Sequence, residues 1–155
     1  MSLAVLLTGG NLGCREENIR RAAELIGSEI GHIKACSPVM ESVPWGFEAE
    51  EQFLNQAIVV ETALAPEELL DATQAIERTL GRTQKTSGGY ASRTMDIDIL
   101  YYDELQLSTP RLTVPHPRIA ERAFVLRPLA AVGPDRRDPH TGLTVKQMLD
   151  NLEAD

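Results

Sequence analysis

Two carboxylates separated by one residue, Asp96 and Asp98, stand in the run 94–102 of the chain. Met95, Ile97, Ile99 and Tyr101 alternate there with Asp96, Asp98, Leu100 and Tyr102, a pattern that predicts a strand with both carboxylates on one side. Residues i and i+2 of a strand lie about 6.5–7 Å apart at Cα, so two carboxylates so placed can jointly hold hard cations such as Mg²⁺. The flanking Ile97, Ile99 and Leu100 make the strand read as central and buried, where two ionised carboxylates repel unless cations compensate them. Taken alone, Asp-x-Asp is more often a strand whose polar side meets water.

The distribution of positive charge points to what those carboxylates would accompany. Residues 1–77 hold 4 basic and 13 acidic residues, and residues 128–155 hold 3 and 5. The middle stretch, 78–127, reverses the balance with 8 basic residues (Arg78, Arg82, Lys85, Arg93, Arg111, Arg118, Arg122, Arg127) and 5 acidic. Guanidinium groups bind phosphate bidentately, and carboxylates that hold metal beside them recur in phosphoryl transfer. His116, between Pro115 and Pro117, could reach a phosphate oxygen as a neutral donor or as a cation. Gly9-Gly10-Asn11-Leu12-Gly13 could bring backbone N–H groups to a ligand, although it matches neither GxGxxG nor a P-loop. Trp45, Phe47, Phe53, Tyr90 and Phe124 include aromatics in loop-like segments, where a planar heterocycle could stack.

The elements that must position these groups follow from hydrophobic periodicity. Residues 3–7 are continuously apolar and read as a buried strand running into the glycine-rich turn. Ile19, Ala22, Ala23, Ile26 and Ile30 recur at helical spacing, with Gly31 as the stop. A strand broken near Pro38 is expected over 32–42, an exposed loop over 44–51 and a half-buried strand over 53–61. Leu54, Ile58 and Val60 lie on one side of that second strand, and Phe53, Asn55, Ala57 and Val59 on the other. Pro66 opens a helix carried by Leu69, Leu70, Thr73, Ile76 and Leu80 and closed by Gly81. Residues 82–92 show no periodicity and read as a mobile loop. The order strand, helix, strand, strand, helix, strand predicts an α+β fold: a ferredoxin-like βαββαβ antiparallel sheet with helices on one face. Short extended pieces over 105–114, a helical turn over 118–127 and a last helix over 144–152 complete it.

At 155 residues and a formal charge of −8, the chain is expected to form one domain, 1–155. Its acidic total argues against a nucleic-acid binder or a protein held on an anionic membrane. The longest apolar run is far short of the ~20 residues that cross a bilayer, which leads to the expectation of a soluble, cytoplasmic protein. Cys14 and Cys36 lack the spacing of a zinc site and read as reduced thiols.

The run Ser92-Arg93-Thr94-Met95-Asp96-Ile97-Asp98-Ile99-Leu100 resembles the signature of the 6-hydroxymethyl-7,8-dihydropterin pyrophosphokinase family. The likeness extends through Gly9-Gly10-Asn11-Leu12, Pro44-Trp45-Gly46, Phe53-Leu54-Asn55, the stretch from Glu77 to Gly81-Arg82, Arg111-Leu112-Thr113-Val114-Pro115-His116 and Arg122-Ala123-Phe124. It implies a ferredoxin-like fold and transfer of the terminal diphosphate of ATP to the hydroxymethyl group of a reduced pterin, releasing AMP. It further implies that Asp96 and Asp98 hold two Mg²⁺ ions. Arg82, Lys85, Arg93, Arg111 and His116 would surround the ATP phosphates, with Thr113 and Ile99 near the nucleotide and Glu77 near its adenine and ribose. Ser42, Val43, Trp45, Phe53, Asn55, Tyr90 and Phe124 would form the pterin pocket, with Arg122 beside the entering substrate; a monomer without further partners is expected. The chain departs from the family pattern at Gln84, at Tyr90, at Val43 and in the Gly88-Gly89 loop.

Overall fold

A computed structural model of the chain describes residues 1–11, 13–42, 53–81 and 95–153. Strand β1 (Ser2–Gly10) leads to helix α1 (Arg15–Glu29), strands β2 (Gly31–Cys36), β3 (Met40–Ser42) and β4 (Phe53–Thr62), helix α2 (Pro66–Thr79) and strand β5 (Asp96–Tyr102). A small hairpin of β6 (Leu107–Ser108) and β7 (Thr113–Val114), a 3₁₀ turn (Ile119–Glu121) and helices α3 (Ala123–Val132) and α4 (Val145–Glu153) follow. The main sheet is antiparallel in the order β2-β4-β1-β5, with β3 also paired to β4. This is the expected order of elements, with β1 at the centre because it is apolar on both sides.

Both faces of the sheet are covered, where the sequence predicted helices on one. On the first face, Ala22 and Ile26 of α1 and Leu69 and Ile76 of α2 bury Ala4, Leu6, Ile58, Val60, Ile97 and Ile99. On the second, Val125, Leu126 and Leu129 of α3 and Val145 and Met148 of α4 bury Val5, Leu7, Ala57, Leu100 and Tyr101. Each full burial of such an aliphatic side chain contributes about 1.5–3 kcal/mol, so the alternating residues of β4 serve two cores rather than one core and solvent. The predicted turn over 118–127 is instead the 3₁₀ turn followed by α3, which continues to Val132 through the buried Pro128.

Two local departures set the geometry of the site. Gly9 and Gly10, expected in a turn, continue β1 and pair with Asn55 and Leu54. In β5, Leu6 of β1 pairs with Ile99 but its neighbour Val5 pairs with Tyr101, so Leu100 is an extra residue. Such a bulge breaks the alternation. Tyr101 therefore joins the second core, where its hydroxyl donates to Asp138 Oδ2 at 2.6 Å, and Tyr102 packs toward the first. The expected faces hold for Asp96 through Leu100 and are exchanged for the two tyrosines.

Candidate active site

β5 lies at the end of the sheet, so among the described residues its outer edge has no strand partner there. The buried Glu77 of α2 supplies one: its Oε2 accepts the Ile97 N–H at 2.7 Å. The Leu100 carbonyl farther along accepts the His116 N–H at 3.0 Å. The first bond fixes the backbone between the two aspartates, and the second ties the loop bearing His116 to the same strand.

Asp96 and Asp98 are half-buried and pair with Gly9 and Leu7 of β1. Both therefore project from the second sheet face. Phe53 and Asn55 of β4 share this face, being in phase with Ala57, whose side chain lies in the second core. The first residues of α3 arrive on the same side: Phe124 packs against the second core, and the buried Arg122 guanidinium lies 5.6 Å from its ring centroid. Burial lowers the Arg122 pKa from its ordinary value.

Asn55 is buried and held at both ends of its amide. Ser42 Oγ donates to Asn55 Oδ1 at 2.8 Å, and Asn55 Nδ2 points to the Thr8 carbonyl at 3.5 Å. Ser42 pairs with Phe53 in the β3–β4 register, so Ser42, Phe53 and Asn55 form one corner of the site.

His116 is half-buried, and its Nδ1 accepts the Arg118 backbone N–H at 3.3 Å. Burial lowers its pKa from 6.5 more than anything else does; the Asp96 charge works the other way and Arg118 adds to the lowering. The imidazole is thus neutral near pH 7, with its proton on Nε2. A cavity of about 340 Å³ opens beside it, with Thr113, His116, Asp138 and His140 among its lining residues.

Other predicted site residues are placed differently from one another. Arg111 is exposed and ion-paired with Asp71 at 2.5 Å and Glu67 at 3.6 Å, both on α2. Ile99 is buried in the first core, so only its backbone is available to a ligand. Val43, Trp45, Arg82, Lys85, Tyr90 and Arg93 lie outside the described residues. Sequence reasoning offered Gly9 only as part of a turn whose N–H groups could meet a ligand; its place in β1 opposite Asn55 and Asp96 exists only once the strands pair.

Among the described residues no group of three or more His, Cys, Asp or Glu side chains could hold a metal. Asp96 and Asp98 nevertheless fit Mg²⁺, which typically takes one or two carboxylates and completes its shell with water and substrate phosphates.

The family model described as 7,8-dihydro-6-hydroxymethylpterin-pyrophosphokinase matches residues 5–134, a span containing every described site residue. The 2-amino-4-hydroxy-6-hydroxymethyldihydropteridine pyrophosphokinase of Porphyromonas gingivalis is 41% identical over 136 residues, covering 86% of this chain and 92% of that protein. The Bacillus subtilis protein of the same name is 42% identical over 132 residues, covering 84% and 78%. A crystal structure of Plasmodium falciparum HPPK-DHPS with pteroate superposes with a TM-score of 0.81 at 16% identity, over 99% of this chain and 42% of that longer one. That last likeness speaks to the fold. With the carboxylate pair, the Asn55 corner and the Arg122–Phe124 pair inside the matched span, the chain belongs to the 7,8-dihydro-6-hydroxymethylpterin pyrophosphokinase family.

Proposed function

We propose that this chain transfers the terminal diphosphate of ATP to the hydroxymethyl group of 6-hydroxymethyl-7,8-dihydropterin, giving the pterin diphosphate and AMP. The observation that carries the reading is the meeting, on one sheet face, of Asp96 and Asp98 with the Asn55 corner and the start of α3. A phosphate-and-metal half and a heterocycle half then lie side by side, which a transfer between ATP and a pterin alcohol requires.

Each half has a chemical task. Asn55 offers an amide donor and acceptor to the pterin edge, and Phe53 and Phe124 offer ring faces to its plane. Ser42 sets which way the Asn55 amide points. The neutral His116 donates from Nε2 to a phosphate oxygen without adding charge, because Nδ1 is already occupied as an acceptor. Arg122 approaches the entering substrate, and burial strengthens its pull on phosphate by excluding water. Arg82, Lys85, Arg93 and Arg111 complete the phosphate shell, which asks Arg111 to exchange Asp71 and Glu67 for the nucleotide. Thr113 and the Ile99 backbone border the nucleotide. Glu77 serves first by fixing β5. Val43, Trp45 and Tyr90 belong to the pterin side.

Asp96 and Asp98 would hold two Mg²⁺ ions, which when bound neutralise phosphate charge and orient the transferred group. The pterin oxygen attacks the β-phosphorus in line, without a covalent enzyme intermediate, and catalysis rests on positioning and charge stabilisation. The reading includes one domain working as a monomer in the cytoplasm. Among the described residues no helix is long and apolar enough to cross a membrane.

Incubating the protein with ATP, Mg²⁺ and the hydroxymethyl dihydropterin tests the proposal. AMP and pterin diphosphate in equal amounts are expected. Pyrophosphate or a sugar nucleotide as product would point to another Asp-x-Asp transferase, and no turnover would overturn the reading.

A further inference from the structure

The sheet register places three residues of the site in one row. Gly9 of β1 pairs with Asn55 on one side and with Asp96 on the other. Asn55 and Asp96 therefore stand two interstrand spacings apart, roughly 10 Å between Cα atoms. In the neighbouring row, Ala57–Leu7–Asp98, the central residue is the buried Leu7. In the Gly9 row β1 contributes no side chain at all.

The reason is space rather than backbone conformation. Gly9 is not among the residues with positive φ, so an L side chain could adopt its backbone. A Cβ built there, however, falls 2.3 Å from Asn55 Nδ2, 3.4 Å from Asn55 Cγ and 3.2 Å from the Leu54 carbonyl. The Asn55 amide leans across β1 and occupies the position that a methyl group would take. Its orientation is set by Ser42 on Oδ1 and the Thr8 carbonyl near Nδ2.

We propose that Gly9 is a specificity-determining residue: lacking a side chain, it lets the Asn55 amide lie over β1 facing the pterin edge. The inference rests on the assignment of Asn55 to the pterin. A methyl at Gly9 would push the amide off its two partners, while leaving Asp96, Asp98 and the nucleotide side in place. Gly9 touches no reacting atom in this scheme. It acts through Asn55.

The test compares Gly9→Ala, Asn55→Ala and the double variant by steady-state kinetics and thermal melting. One lost hydrogen bond to a buried amide corresponds to about tenfold in affinity, so Gly9→Ala should raise KM for the pterin about tenfold and leave KM for ATP within about twofold. The double variant should bind pterin no worse than Asn55→Ala alone, since the group that clashes has been removed. An unchanged pterin KM in Gly9→Ala, beside a weakened one in Asn55→Ala, overturns the role of Gly9 alone. An unchanged pterin KM in Asn55→Ala overturns the assignment of Asn55 beneath it. Additive losses, parallel rises in both KM values, or a Gly9→Ala protein too unstable to assay would each show a general structural role and sink the proposal.

Discussion

Glu77 Oε2 accepts the backbone N–H of Ile97 at 2.7 Å, and Ile97 is the residue between Asp96 and Asp98. A helix carboxylate thus closes the free edge of the strand that carries both candidate metal ligands. Glu77→Ala leaves that N–H buried and unsatisfied, a cost of about 1–3 kcal/mol. Thermal melts should show the loss, and the Mg²⁺ concentration for half-maximal AMP formation should rise because the aspartates are less firmly spaced. Glu77→Gln, which keeps a carbonyl acceptor, should lose less on both measures.

Asp96→Asn and Asp98→Asn should each lower AMP formation by about a hundredfold or more, the scale expected when a charge-stabilising group is removed. Asp150→Asn is the control, since Asp150 is exposed on α4 and paired with Lys146. EDTA should abolish turnover of the native protein and added Mg²⁺ restore it. Comparable losses in all three variants would refute the metal role of the pair.

The His116 pKa lies below 6.5 in the folded protein, chiefly through burial. Between that lowered value and 6.5 the unfolded chain binds a proton that the folded one refuses, so stability rises with pH across this window. The contribution is fully present above pH 6.5 and is lost as pH falls through the folded value. Urea unfolding of metal-free protein at pH 7.5 and pH 5.5 should show a larger loss on acidification for the native chain than for His116→Gln. Equal losses would contradict the assignment.

Tyr101→Phe removes the hydroxyl that donates to the buried Asp138 at 2.6 Å. Asp138 Oδ1 also accepts the His140 and Thr141 N–H groups at 2.7 and 3.0 Å, and the Arg136 guanidinium lies 4.4 Å from the Tyr101 ring centroid. A charged acceptor is left short of one donor, which costs about 1.5–3 kcal/mol. Denaturant midpoints should fall accordingly, with KM for the pterin unchanged because this network lies away from the Asn55–Gly9–Asp96 row. A change in that KM would show that the bulge at Leu100 transmits to the pterin side.

What was legible in the sequence was whatever depends on neighbours along the chain. Apolar spacing located α1, α2 and α4, Pro66 and Gly81 marked the ends of α2, and alternation put Asp96 and Asp98 on one side of a strand. What misled it was the assumption that alternation persists: the bulge that exchanges Tyr101 and Tyr102 is set by pairing with Val5 and Leu6, which nothing in the run 94–102 specifies. The alternation of β4 likewise reads the same whether its second side meets water or α3.

The sequence by itself determined the order of elements, the carboxylate pair and, through motifs, the family, because periodicity and residue type are properties of a local stretch. Only the tertiary structure decided that both sheet faces are covered, that Glu77 closes the β5 edge, and that Asn55, Gly9 and Asp96 share a row. Those facts depend on register between strands far apart in the chain. Register is fixed by the joint burial of two cores, not by any one segment.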